Sequence, residues 1–209
     1  MKIIKFIGII AVTFALQARA PAAPTTRKSD AGPATRKSAA GPASRPVNAT
    51  APKLTYKLGK GADDWEADKR ERIVKSMDGA VAIYNENGEF EKSITATYNP
   101  GTPTADANYN GSIRFGGQIG LRTALHEIAH TLGIGQHPKW KDLIKDGKWT
   151  GEHALAQLRE FDGPDAVLHA DRQHFWPYGL NQDREGGEEN FKRHVKMVHA
   201  FRRDLGIVK

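Results

Sequence analysis

The sequence contains no cysteine among its 209 residues. Disulfide bonds are therefore excluded, and so is any zinc site that uses thiolate ligands. A zymogen held inactive by a cysteine thiolate on a metal is excluded for the same reason. If this chain binds a transition metal, the ligands must be histidine or carboxylate side chains, and eight histidines are present.

Long hydrophobic runs are also scarce, and the main one, residues 6–16, is shorter than the roughly 20 residues that a membrane span needs. Two lysines precede this run, and a small-x-small tripeptide, residues 18–20, follows it. The pattern predicts a secretory signal peptide over residues 1–20, cleaved after Ala20 or, because a proline comes next, after Ala18. A weak anchor is the alternative. We therefore expect a secreted protein, extracellular or periplasmic, without a stable membrane span.

The excess of positive charge is confined to the N-terminal quarter of the chain. The formal net charge is +7, a value that favours nucleic-acid or membrane partners. However, eight of the 31 basic residues and one of the 24 acidic residues lie in residues 1–52, which leaves 23 of each sign in residues 53–209. The neutral part is the part that can fold, so no nucleic-acid partner is predicted.

Residues 21–52 consist mostly of Ala, Pro, Thr, Ser, Lys and Arg, and include two near-identical nonapeptides at 26–34 and 35–43. A segment with so little apolar surface cannot offset the entropy that ordering costs. It is predicted to be a disordered linker, with an inhibitory propeptide as the alternative. The folded domain is then residues 53–209.

Apolar periodicity divides this domain into strands and helices. Alternation predicts strands at residues 54–58, 94–98 and 112–115. Helical spacing predicts four helices, at residues 73–84, 119–132, 150–161 and 188–205, with Asp63 or Asp64 capping the first and Gly206 ending the last. This order predicts an α+β fold, a small twisted mixed sheet with two helices, followed by a loop-rich lower subdomain that a C-terminal helix closes.

The second predicted helix carries the sequence His126-Glu127-Ile-Ala-His130. Histidines four residues apart share one face of a helix, so both imidazoles can reach one ion, and neutral imidazole is a good ligand for Zn²⁺. Glu127 is turned about 100° away from His126, where it can take a proton from water instead of binding the ion. A surface helix with this pattern by chance is the alternative, but the strong apolar face of the helix places it inside the domain.

These three residues, with Gly133, match the H-E-x-x-H-x-x-G pattern of the zincin metallopeptidases, and the chain resembles the metzincins among them. The resemblance implies a zincin-like fold with an active-site helix, a zinc cofactor, and a peptide or protein substrate whose peptide bonds are hydrolysed. It also implies a third histidine six residues after the second, where this sequence has Gln136. The methionine turn of that family is not evident either.

The third metal ligand therefore stays open among three residues. His137 comes one position later than the family pattern, and Gly133 and Gly135 can adopt the positive φ that would turn it inward. His174 lies in an irregular, aromatic segment, and Asp171 shortly precedes it. We prefer His137, then His174, then Asp171.

Further residues are assigned to catalysis and substrate binding through the resemblance. Tyr178 is a candidate for stabilising an oxyanion beside the metal, or else a core aromatic. Ser112, Ile113, Arg114 and Phe115 are expected to form the edge strand on which an extended peptide binds.

The sequence thus predicts a secreted zinc-dependent endopeptidase in which Glu127 activates water. Two alternatives stay open. One is a zinc-dependent amidase or deacetylase acting on glycans, with Trp140, Trp149 and Trp176 stacking on sugars. The other is a non-enzymatic secreted module in which four protein ligands close a structural zinc site. The oligomeric state does not follow from the sequence.

Overall fold

The computed structural model describes residues 53–209, so the predicted signal peptide (1–20) and linker (21–52) lie outside the described residues. The described part contains helices and two small sheets, which confirms the prediction of an α+β fold. The helices are α1 (Ala67–Asn87), α2 (Leu121–Thr131), α3 (Glu152–Asp162) and α4 (Glu188–Asp204). The strands are β1 (Leu54–Leu58), β2 (Lys92–Tyr98), β3 (Ala105–Asn108), β4 (Ser112–Phe115), β5 (Ile144–Lys145), β6 (Lys148–Trp149), β7 (His169–Ala170) and β8 (Phe175–Trp176). Within residues 53–209, no helix has the length and apolar content that a membrane crossing requires.

The first sheet has the strand order β1-β2-β4-β3, with β3 antiparallel to β4 and the other pairs parallel. The expectation that Ser112, Ile113, Arg114 and Phe115 form the edge strand is therefore wrong, because β4 is paired on both sides. The edge is β3, a strand that the sequence did not predict. Its Ala-Asp-Ala-Asn sequence lacks the β-branched and aromatic residues that mark strands.

Helices α1 and α2 cover this sheet and contact each other. Buried residues of α1 recur at helical spacing, and the Tyr84 hydroxyl at its end donates a hydrogen bond to the Leu125 carbonyl of α2 (3.0 Å). Asp63 and Asp64 do not cap α1 as predicted. They lie in a short 3-10 turn before it, and the residue at its N-cap is Glu66. The hydrogen bond from Tyr84 to Leu125 ties α1 to α2, the helix that carries the His-Glu-His sequence.

The lower part consists of α3, α4 and the small sheet β5-β6-β7-β8. Both helices were predicted, whereas the residues of this sheet were predicted to be loops. Trp140 and Trp149 are buried there against Phe201 of α4, so they belong to the core and not to a sugar-binding surface. The predicted last helix is confirmed, and Gly206 follows it at φ +72°, the conformation expected of a glycine that ends a helix.

Asp204, near the end of α4, caps the start of α3. Its Oδ1 atom accepts a hydrogen bond from the backbone N–H of His153 (2.8 Å). Its Oδ2 atom accepts hydrogen bonds from the backbone N–H of Ala154 (3.0 Å) and from the indole N–H of Trp149 (2.9 Å). Thr150, the predicted cap, instead donates its hydroxyl proton to the Leu143 carbonyl. The cap of α3 therefore comes from a residue distant in sequence.

Replacing Asp204 by alanine is expected to lower the free energy of unfolding by about 2–3 kcal/mol. Loss of a helix cap costs roughly 0.5–2 kcal/mol, and a buried donor left unpaired, here the Trp149 indole, costs about 1–3 kcal/mol. Urea unfolding measures the change, with Asp165→Ala, at an exposed position, as the matched control. Equal midpoints for both variants and the parent protein would contradict the capping role.

Candidate metal centre

Helix α2 brings the first two histidines together. Its apolar face is buried in the core, so the opposite, polar face is held at a fixed position over the cleft. The Nε2 atoms of His126 and His130 lie 3.2 Å apart, as their spacing of four residues predicted. Both histidines are mostly buried.

The other nitrogen of each ring is bound to a backbone carbonyl. His126 Nδ1 donates to Gly179 O (2.8 Å), and His130 Nδ1 donates to Ile134 O (2.8 Å). Because a carbonyl oxygen can only accept, Nδ1 carries the proton in both rings and Nε2 presents a lone pair. Burial lowers the pKa of both imidazoles, so they stay neutral. Two lone pairs therefore face each other at 3.2 Å, an arrangement that a cation shared between them would stabilise.

His174 is the third histidine of the group. Its ring stacks on that of His126 with centroids 5.5 Å apart, and it lies 5.7 Å from the ring of His130. One ligand atom from each of the three side chains lies within 4.8 Å of the others. The structure thus brings together His126, His130 and His174.

The loop before β8 holds His174 in place. Gly135 has φ +69°, and a Cβ added there would lie 2.2 Å from the Gln173 carbonyl oxygen, so the close approach of the two loops requires glycine. Asp171 Oδ1 accepts the backbone N–H groups of Gln173 (2.8 Å) and His174 (2.7 Å). The same oxygen lies 3.5 Å from His174 Nδ1, which leaves Nε2 for an ion. Asp171, the third candidate ligand, therefore orients His174 and lies outside the ligand group.

His137, the preferred third ligand, does not join the group, and this expectation is corrected. Its backbone N–H bonds to Gly133 O (2.9 Å), so a helical turn carries its side chain past the cleft. Its Nδ1 accepts the N–H of Lys139 (3.2 Å), and its ring packs edge-on to that of Tyr109. The side chain that faces the cleft from this turn is that of Gln136.

Tyr178 is likewise not placed to stabilise an oxyanion. Its hydroxyl donates to Asp162 Oδ1 (2.6 Å) and accepts from Arg193 Nη1 (2.6 Å), so the side chain points towards α3 and α4. Its backbone has φ +66°, and its carbonyl accepts a hydrogen bond from buried His194 Nδ1 (2.7 Å). These contacts hold the loop whose Gly179 carbonyl binds His126. Sequence reasoning missed Gly179, since backbone carbonyls leave no signal in side-chain patterns.

Glu127 lies beside the histidines and is only 5% exposed. Its Oε2 atom has no hydrogen-bond partner among the described residues. Burial is the main cause that raises the pKa of this carboxyl to about 7; the charge of Asp106 adds to the shift and that of Arg122 opposes it. A carboxylate of this pKa can accept and release a proton near neutral pH.

A cleft of about 310 Å³ opens above the three histidines. Its lining comes from the edge strand β3, from α2 and from the loops that carry Gln136, His174 and Asn181. It includes Glu127 and all three histidines, so a molecule in the cleft would touch the buried carboxyl group and the three imidazoles together.

Trp176, the remaining tryptophan proposed for sugar stacking, is 41% exposed and stacks on His169. It does not line the cleft.

No protein-family model, no curated protein and no solved structure matches this chain.

Proposed function

We propose that this protein is a secreted, zinc-dependent endopeptidase with a zincin-like domain. The observation that carries the proposal is the facing pair of neutral imidazole nitrogens, His126 Nε2 and His130 Nε2, with His174 beside them and the buried carboxylate of Glu127 adjacent. Three histidines and one nearby carboxylate outside the ligand group suit a catalytic zinc site, in which one position is left for water.

The donor set supports zinc over the hard cations. Ca²⁺ and Mg²⁺ prefer oxygen ligands, whereas imidazole nitrogen suits zinc and its neighbours in the transition series. The backbone carbonyls of Gly179 and Ile134 accept the Nδ1–H protons of two ligands and so fix the orientation of both rings. The fit of residues to ion is therefore good in ligand type, ligand number and ring orientation.

Zinc at these histidines would acidify a water molecule and polarise a substrate carbonyl. The chain itself supplies the proton transfer. Glu127, whose Oε2 atom has no hydrogen-bond partner among the described residues, would take the proton from the water and later return it to the leaving amine. Strand β3 borders the cleft and has a partner strand on one side only, so its open edge can pair with an extended peptide.

The two alternative functions have less support. A structural zinc site needs a fourth protein ligand, and the metal group found among residues 53–209 contains three histidines, with His137 turned away. A glycan-directed enzyme would be expected to place aromatic side chains in the cleft, and the three tryptophans lie elsewhere.

The test is to incubate the zinc-loaded protein with a denatured polypeptide and, separately, with an N-acetylated oligosaccharide. We expect internal cleavage of the polypeptide, detected by mass spectrometry, which a chelator abolishes and added zinc restores. Release of acetate from the oligosaccharide without any peptide products would contradict the proposal and favour the deacetylase.

A further inference from the structure

The side chains that line the cleft are short or polar. Besides Glu127 and the three histidines, the lining contains two charged side chains, Asp106 and Arg122. Its amides and hydroxyls come from Gln118, Gln136, Gln173, Asn181, Thr104 and Thr123. The apolar contribution comes from Ala105 and Ala107 of β3. Among the described residues, no valine, leucine, isoleucine, methionine, phenylalanine, tyrosine or tryptophan belongs to this lining.

Among the described residues, no apolar pocket opens behind the three histidines. The gap between the three histidines and the underlying Phe175 and Ile134 has no room for a water molecule. Exposed large hydrophobic side chains elsewhere in residues 53–209 are Val167 and Trp176, and neither borders the cleft. A large apolar side chain of a substrate would therefore find no large apolar side chain to pack against here.

The polar character continues on the far side of His174. A second hollow, about 500 Å³ in volume, shares Gln136, Gln173 and His174 with the cleft. It adds the exposed charged residues Lys141, Asp171 and Arg172. A chain that runs through the cleft past the metal centre thus meets hydrogen-bonding groups on both sides of it.

Asn181 adds a buried acceptor to this surface. Its Nδ2 donates to the Phe175 carbonyl (2.9 Å), which fixes the orientation of the amide. Its Oδ1 is then buried beside the cleft without a partner among the described residues. This oxygen is covered by its neighbours, so it adds to the polarity of the wall beside the cleft without itself reaching a bound molecule.

From these observations we propose that the cleft selects polypeptide segments with small or hydrogen-bonding side chains on both sides of the scissile bond. This inference rests on the proposed function and names its substrate class. Residues such as glycine, alanine, serine, threonine, asparagine and glutamine fit, because they leave the lining amides solvated or bonded. Leucine, phenylalanine and tyrosine are disfavoured, because they cover those amides without replacing their hydrogen bonds.

The experiment compares zinc-binding hydroxamates of otherwise identical dipeptides that carry serine or glutamine with those that carry leucine or phenylalanine. Their binding to the zinc-loaded protein is measured by titration calorimetry, so that the result does not depend on hydrolysis. We expect the polar compounds to bind at least about tenfold more tightly, a discrimination typical for one side chain.

The variant Gln136→Leu gives an internal check, since this residue lines both hollows. This variant should reduce the ratio of the affinities for the polar and the apolar compounds several-fold. The control variant Gln157→Leu on α3, away from the cleft, should leave that ratio unchanged. Tighter binding of the leucine or phenylalanine compounds by the parent protein would overturn the inference and leave the metal centre standing. If none of the compounds bound, the open zinc position itself would be contradicted, and with it both proposals.

Discussion

The Glu127→Gln variant is expected to retain zinc and to hydrolyse peptides at least about 100-fold more slowly than the parent protein. The amide keeps the shape of the side chain but cannot take a proton from water, and general-base catalysis contributes about 10²–10⁴-fold. The measurement is kcat/KM on a cleaved peptide, with zinc content determined on the same samples. Glu71→Gln, at an exposed position of α1, is the matched control and should behave as the parent does.

The pH dependence gives the same prediction a second readout. Burial raises the pKa of Glu127 to about 7, and the carboxylate acts as a base only when it is deprotonated, above that pKa. A bound cation lowers the pKa, so kcat/KM of the parent protein should fall as the pH decreases, with the midpoint at or below pH 7. The residual activity of Glu127→Gln should lack this decline. A variant within a few-fold of the parent would show that Glu127 is not the base.

The His174→Ala variant is expected to purify almost free of zinc and inactive. Removing one of three ligands leaves only His126 and His130, and a pair of imidazoles cannot compete with buffer and water for the ion at ordinary concentrations. Removing a histidine outside the ligand group would have a much smaller effect. Removing one that only orients a ligand typically lowers metal affinity or activity by about 10–100-fold. Elemental analysis after dialysis against a weak chelator measures the difference.

His137→Ala is the informative comparison, since His137 is the residue that the sequence favours. It should keep its zinc, as should His153→Ala at an exposed position of α3. Thermal unfolding of the metal-free proteins establishes that each variant is folded. Zinc retained in His174→Ala but lost from His137→Ala would mean that the loop after α2 rearranges in solution to bring His137 inward.

The residues that the sequence located were those whose geometry is local. His126, Glu127 and His130 belong to one helix, and their relative positions follow from 3.6 residues per turn, whatever surrounds them. Helix α4 and the glycine that follows it could be predicted for the same reason, because the spacing of apolar residues along a helix is also local. Binary pattern and element order were enough for the α+β class.

The parts that the sequence could not locate depend on contacts between distant segments. Strand β3 forms because β4 offers it an edge, since its own residues have low strand propensity. The choice of His174 over His137 depends on Gly135 passing within contact of Gln173, and on how Asp171 folds its loop. The Tyr178 hydroxyl forms hydrogen bonds with Asp162 and Arg193. The spacing of residues along the chain does not predict these contacts.

The central claim, an open zinc site with three histidine ligands, is tested most directly by zinc-edge X-ray absorption on the protein loaded with the metal. The predicted result is one zinc per chain with three imidazole nitrogens at about 2.0–2.1 Å and one oxygen from solvent. The same spectrum of His174→Ala, if any zinc remains, should lose one imidazole. A site with four protein ligands, or a protein that binds no zinc when the metal is added, would contradict the account.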